Sequence, residues 1–349
     1  MKAVILAGGG GTRLWPMSTK ENPKQFQKIT SDKTMIEEAV DRLDFLKKSD
    51  IYIATNFKQF KLVKKLCPKI QVKNIIIEPD LRDTASCIGF AADVIEKRHP
   101  KEVMSIIYAD HYIKNKKEFQ EKLKKADELA KKEDTLNIIE IVATEPSTNY
   151  GYVKLGKLYK KIKGTEIYYL DSFTEKPNLA TAKKFIKSGN YLWNSGLYVW
   201  KAKTLLEAYK TLLPDTYEKL NTIMGKYDTK AQDKTTSAIY PTLQKISIDY
   251  AIMEKVDPKK VRIIKAKKLG LSDVGTWETV SKLLANSQDK NKNHHLLDTK
   301  GCFIHCEDKK KKIAVIGLKD VIVVDTKNGL LVCKKEDAKR IKELQDKLQ

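Results

Sequence analysis

The chain has 349 residues and a formal net charge of +22, from 67 Lys and Arg against 45 Asp and Glu. That length exceeds what one hydrophobic core usually organises, so a large domain and a smaller one are expected. No apolar run approaches the roughly 20 residues that span a bilayer, and the apolar start is too short for a secretion signal, so no membrane partner and a cytoplasmic location are expected.

The first element is the buried strand Ala3 to Leu6, which runs through Ala7 into Gly8, Gly9, Gly10, Gly11 and Thr12. Such a turn can adopt positive φ angles and bring backbone N–H groups against anionic oxygens with no side chain in the way. Arg13 adds a planar fork of donors and Lys24 a mobile point charge, two means of neutralising one polyphosphate. The Walker loop and the dinucleotide fingerprint are both excluded. Thr12-Arg13 stands where the first needs Gly-Lys-Ser/Thr, and Arg13 occupies the last glycine of the second.

Through residue 142, short β-branched runs alternate with helical periodicity, which predicts an α/β domain with a mostly parallel sheet covered on both faces. Its strands are expected at 3–6, 51–54, 74–77, 104–108 and 137–142. The helix 84–97 repeats Ile88, Ala91, Ala92 and Ile95 on an inward face. Ligands of such sheets sit beyond the carboxyl ends of the strands, where the glycine loop and Asp110 both fall. Strands then dominate, at 149–155, 166–174 and 191–200, around a helix at 181–188. Residues 204–226 read as helix interrupted at Pro214, and 225–236 as a loose polar stretch.

A polar linker, Ser287 to Asn293, marks a boundary between a domain 1–287 and a small β unit 288–349. Runs at 312–316, 321–325 and 330–334 are spaced by Gly317 and Asn328-Gly329. The end, 336–349, reads as an amphipathic helix with Ala338, Ile341, Leu344 and Leu348 on one side. That face needs a cover, either its own β unit or a second subunit, and a homodimer is expected. No repeat of 20 to 50 residues runs through the main domain.

Cys67, Cys87, Cys302, Cys306 and Cys333 are scattered and odd in number, so they read as free thiols. A zinc site from His294, His295, Cys302, His305 and Cys306 is the alternative for the tail, although the spacing fits no familiar pattern. The basic surplus is mostly lysine spread over the whole length. It reads as a solvated surface that steers anionic substrates rather than as a nucleic-acid site.

The stretch Leu6-Ala-Gly-Gly-Gly-Gly-Thr-Arg-Leu-Trp-Pro-Met-Ser18 with Pro23-Lys-Gln-Phe26 resembles the signature loop of the sugar-nucleotide pyrophosphorylases, the mannose-1-phosphate guanylyltransferases in particular. Further blocks resemble that family in its order: 78–85, 109–111, Asn149-Tyr-Gly-Tyr152, Phe173-Thr-Glu-Lys-Pro177, Trp193-Asn-Ser-Gly196, 247–254 and Ser272-Asp-Val-Gly-Thr-Trp277. The resemblance implies a Rossmann-like nucleotidyltransferase domain followed by a few coils of left-handed β-helix. It also implies joining of GTP to mannose 1-phosphate with release of diphosphate, dependent on Mg²⁺.

The resemblance carries residue roles with it. Leu6 to Thr12, with Arg82, Thr84 and Ala85, would bind the nucleotide, and Arg13 and Lys24 would serve the triphosphate. Asp110 and Asp273 would hold the metal, and Tyr150, Gly151, Glu175, Lys176 and Asn194 the sugar phosphate. Taken singly, each acidic or turn residue is also an ordinary cap or strand end, and the ordered set carries the assignment. Two positions depart from the family's wording: Asp83 stands where asparagine is common, and Leu271 where tryptophan often precedes Ser272-Asp273. The attacking phosphate oxygen is already an anion, so His111 is not needed as a base. The competing readings are the same chemistry on another NTP and sugar 1-phosphate pair, and a non-catalytic sugar-nucleotide-binding subunit.

Overall fold

The computed structural model describes residues 1–284 and 292–348. Most of the expected linker therefore lies outside the described residues. The chain divides into two compact units: Met1–Gly8, Ala39–Ala109 and Ile113–Leu271 form the first, and Gly9–Glu38, Asp110–Tyr112 and Ser272–Gln349 the second.

The strands, in chain order, begin with β1 (Lys2–Leu6), β2 (Ile51–Asn56), β3 (Ile75–Glu78), β4 (Val103–Tyr108) and β5 (His111–Ile113). They continue with β6 (Leu136–Val142), β7 (Tyr152–Ile162), β8 (Thr165–Thr174), β9 (Tyr191–Lys201), β10 (Val261–Ala266) and β11 (Leu271–Asp273). Nine of them build the first unit's sheet in the order β3-β2-β1-β4-β9-β6-β10-β8-β7. The sheet is mixed rather than mostly parallel. β3, β2, β1 and β4 run parallel, as do β6 and β10, but β9 is antiparallel to both β4 and β6, and β8 to β10 and β7. The β-branched runs announced buried strands without their direction, because a strand covered on both faces reads the same either way.

The helix Asp83–Arg98 is buried all along Ala85–Ile95, Asp93 included, beyond the single inward face that its periodicity gave. Helices Ala202–Leu212 and Pro214–Lys226 pack on its other side. Pro214 opens the second of these, where its missing N–H costs nothing. The stretch expected to be loose turns helical from Gln232 to Ile239, and Thr236 is buried there. Tertiary contact outweighs its polar composition.

In the second unit, β12 (His294–Leu297), β13 (Phe303–Cys306), β14 (Ile313–Ile316), β15 (Val321–Thr326) and β16 (Gly329–Lys334) follow. His294 pairs with Ile313, Lys300 with Lys319 and Phe303 with Ile322, in each case nineteen positions downstream and parallel. A constant offset on successive sides is the register of stacked coils, after which β16 turns back antiparallel on β15. The terminal helix is largely 3-10, over Lys335–Leu344, with an α-turn only at Gln345–Leu348. Its Ala338 and Ile341 are buried with Leu14, Trp277, Phe303, Ile322, Val324 and Leu331, and Leu348 packs beside them. This unit covers that face itself, so the stripe needs no second subunit; Leu344 stays half-exposed.

Candidate active site

The Gly9–Glu38 segment of the second unit leads through the 3-10 turns Thr12–Leu14 and Lys24–Phe26. Gly11 has φ +49°, and a Cβ there would stand 2.8 Å from Lys24 Cγ, so only glycine lets the loop lie on Lys24. Gln25 is buried and donates from Nε2 to the Gly9 carbonyl at 2.8 Å, which holds the loop. Arg13 is exposed.

Lys24 is the centre of a charge cluster. Its Nζ lies 2.8 Å from Asp110 Oδ2 and 3.1 Å from Asp273 Oδ1, and it donates to the Val274 carbonyl at 3.2 Å. Asp110 immediately precedes β5, and Asp273 closes β11, the strand hydrogen-bonded to it. Burial would lower the Lys24 pKa, but the two carboxylates more than offset it and the ammonium is held above its ordinary value. Burial would likewise raise Asp110, yet Lys24 and His111 pull it down to about 2. Side chains as far as 249 positions apart in sequence thus meet at one cation.

The donor set suits a hard divalent ion. Two carboxylates already converge on a positive charge, and Gly275 leaves the space beside Asp273 open, since a Cβ there would sit 3.1 Å from Oδ2. Among the described residues no group of three His, Cys, Asp or Glu is placed to hold a metal, so the zinc alternative in the tail gains no support. His305 instead packs toward the Trp277 ring, with centroids 6.1 Å apart.

The other expected residues belong to the first unit and fall into two groups. Leu6 ends β1, and Ala7 and Gly8 follow it. Thr55 donates to the Ala7 carbonyl at 3.2 Å and Asn56 to that of Gly8 at 3.1 Å. A Cβ on Gly8 would stand 3.1 Å from Glu78 Oε2. Arg82 pairs with Asp80 at 2.8 Å, Thr84 Oγ1 accepts from the Ile248 amide at 2.9 Å, and the Ala85 amide donates to Ile246 O at 3.1 Å. Asp83 has φ +63° and accepts from the Thr84 amide at 2.6 Å. Asp and Asn are the side chains that best tolerate that conformation, so either residue keeps the turn.

Glu78 is buried under this group and accepts from Tyr240 OH. Burial pushes its carboxyl up to about 7. An acid harder to ionise folded than unfolded contributes most below its unfolded value of 4.5 and loses that contribution as pH rises to about 7. Relative to Glu78→Gln, the wild type should therefore lose stability over that window by at most about 1.4 kcal/mol per pH unit. Urea unfolding at several pH values measures it, and parallel curves for the two proteins would refute the assignment.

The second group is Tyr150, Gly151, Glu175, Lys176 and Asn194. Tyr150 stacks on Trp193 with centroids 4.8 Å apart, and the Asn194 amide donates to Gly151 O at 2.8 Å. Lys176 Nζ lies 2.6 Å from Glu175 Oε1. Burial and then Asp249 raise the Glu175 pKa. Asn194 is less available than expected: its Nδ2 donates to Asp249 Oδ1 at 2.9 Å and its Oδ1 accepts from its own neighbour, the Gly196 amide, at 3.0 Å.

Two acids that the sequence reading did not single out, Asp249 and Glu254, adjoin this group. Tyr198 OH donates to Asp249 at 2.5 Å, and Glu254 Oε1 accepts from the Glu175 amide at 2.8 Å. A π-helical turn, Asp249–Met253, bonds the Glu254 amide to Asp249 O at 2.9 Å and aligns the two acids. Their i, i+5 spacing is off-face for an α-helix, so periodicity gave no signal.

Residues 2–290 match the family model for nucleotidyl transferase, and residues 292–348 match that for the mannose-phosphate isomerase/GMP-like β-helix domain. The chain is 32% identical to a mannose-1-phosphate guanylyltransferase of Escherichia coli, over 98% of its own length and 74% of the relative's. It is 31% identical to the alginate biosynthesis protein AlgA of Pseudomonas aeruginosa, over 98% and 71%. A crystal structure of a Thermus thermophilus protein, described as a mannose-1-phosphate geranyltransferase, superposes with a TM-score of 0.86 at 28% identity and covers 99% of this chain and 98% of that one.

Proposed function

We propose, from the premise that this chain belongs to the nucleotidyl transferase family and within it to the mannose-1-phosphate guanylyltransferases, that it converts GTP and α-D-mannose 1-phosphate into GDP-mannose and diphosphate. Its fold is α/β with a mixed central sheet, followed by a small C-terminal β-helix domain. We place the sequence boundary near residue 287 and the reaction in the cytoplasm. No helix among the described residues is long and apolar enough to cross a membrane.

The observation that carries this reading is the meeting of Lys24, Asp110 and Asp273. Attack of a sugar phosphate oxygen on the α-phosphorus of GTP forms one P–O bond as the bond to diphosphate breaks, so no general base is needed. What limits the reaction is the repulsion of two crowded anions and their alignment. In this proposal Asp110 and Asp273 would hold Mg²⁺, which when bound would neutralise phosphate charge. Lys24, whose three donors go to Asp110, Asp273 and Val274 O, adds its positive charge beside the phosphates, and Arg13, exposed and on the glycine loop, neutralises charge on the departing diphosphate. The amides of Gly8 to Thr12 bind phosphate oxygens, and Arg82, Thr84 and Ala85 flank the base. Lys176 meets the sugar phosphate, while Glu175 and Asp249 accept from sugar hydroxyls.

The test is diphosphate release over a grid of four NTPs and several sugar 1-phosphates, with and without Mg²⁺. Turnover confined to GTP with mannose 1-phosphate and Mg²⁺ is expected. A different preferred pair would correct the substrates, and silence in every well would favour a sugar-nucleotide-binding subunit.

A further inference from the structure

Glu140 lies in the middle of the apolar strand β6, Leu-Asn-Ile-Ile-Glu-Ile-Val, and is wholly buried. A carboxyl group there is costly unless it satisfies something the apolar neighbours cannot. Its partner strand shows what that is. Ile139 pairs with Leu197 and Ile141 with Trp193, so Asn194, Ser195 and Gly196 all stand opposite Glu140 alone, as a bulge. A bulge leaves amides outside the ladder, and every one here has a partner. Asn194 N–H goes to Gly151 O at 2.8 Å, Gly196 N–H to Asn194 Oδ1 at 3.0 Å and Leu197 N–H to Ser195 Oγ at 3.1 Å. Ser195 N–H goes to Glu140 Oε2 at 2.7 Å. Gly196 completes the bend with φ +70°, where a Cβ would strike the Tyr108 ring at 2.7 Å.

The consequence is directional. The bulge presents Asn194 to Asp249, and Asp249 is the acid that Tyr198 and Asn194 orient within the candidate sugar group. We propose that Glu140 is a positioning residue for the sugar phosphate: by taking the Ser195 amide it fixes the bulge, and the bulge fixes Asn194 and Asp249 for recognition of sugar hydroxyls. The side chain does not need its charge. Burial, with Asp249 and Glu175 nearby, holds its carboxyl well above the ordinary range, and Gln is a close mimic of the neutral acid. The inference rests on the function proposed above for its kinetic effect, but not for the contact itself.

The test compares the full-length wild type with Glu140→Gln and Glu140→Ala by amide hydrogen exchange and by kinetics. In Glu140→Ala, leaving the Ser195 amide unpaired should speed its exchange about tenfold and raise KM for mannose 1-phosphate about tenfold, with KM for GTP within about twofold. Glu140→Gln should restore both. Unchanged Ser195 exchange in Glu140→Ala overturns the proposal. So does an equal rise in both KM values, or a Gln variant as impaired as the Ala one. Should the wild type fail to join GTP to mannose 1-phosphate, the function proposal falls and Ser195 exchange alone decides the role of Glu140.

Discussion

Asp273→Asn should lower turnover by about 10²-fold or more while the melting temperature moves by no more than about 4 °C. The two halves of that expectation have separate causes. On the function proposed above, activity depends on a carboxylate facing Lys24 and able to hold a divalent ion, and an amide can neither neutralise the ammonium nor bind Mg²⁺ with comparable strength. Stability depends less on it, because the Asp273 side chain is 39% exposed and Lys24 keeps Asp110 at 2.8 Å and the Val274 carbonyl at 3.2 Å. Partly exposed pairs contribute little to folding. Diphosphate release over a Mg²⁺ titration, beside a thermal melt, reads both; a large loss of stability would make Asp273 a structural residue.

Trp277→Ala should cost about 3–5 kcal/mol, the largest stability effect expected in the second unit. The indole is fully buried with Leu14, Val274 and Phe303, and its Nε1 donates to the Trp15 carbonyl at 2.8 Å. Thr326 Oγ1 and Asn328 Nδ2 donate to the next carbonyl, that of Pro16, at 3.2 and 3.0 Å. The glycine-loop segment and the C-terminal strands therefore share one core. Removing the indole loosens both, and urea unfolding with limited proteolysis should show the Gly9–Glu38 segment cut sooner. A loss below about 1 kcal/mol would mean that this core tolerates the cavity, contrary to its packing.

Much of the candidate site can be named from the sequence because its parts are local. The glycine run, Arg13 and Lys24 fall within one stretch, and the block containing Glu175 and Lys176 announces an acid beside a base at a strand end. Glu140, Asp249 and Glu254 escaped for reasons that can be named. The strand pattern marked 137–142 as buried but could not say what a buried glutamate would satisfy, since that depends on a bulge in β9, a strand more than fifty residues away. Asp249 and Glu254 share a face only because the turn between them is π-helical.

The sequence by itself determined the alternation of strands and helices, the glycine-rich turn after the first strand and the β character of the tail, because each is written in local periodicity and residue chemistry. The tertiary structure decided strand direction, the covering of the terminal stripe at Ala338 and Ile341, and the convergence of Asp110 and Asp273 on Lys24. Those depend on which distant segments are buried together, and burial is a property of the packed chain rather than of any window along it.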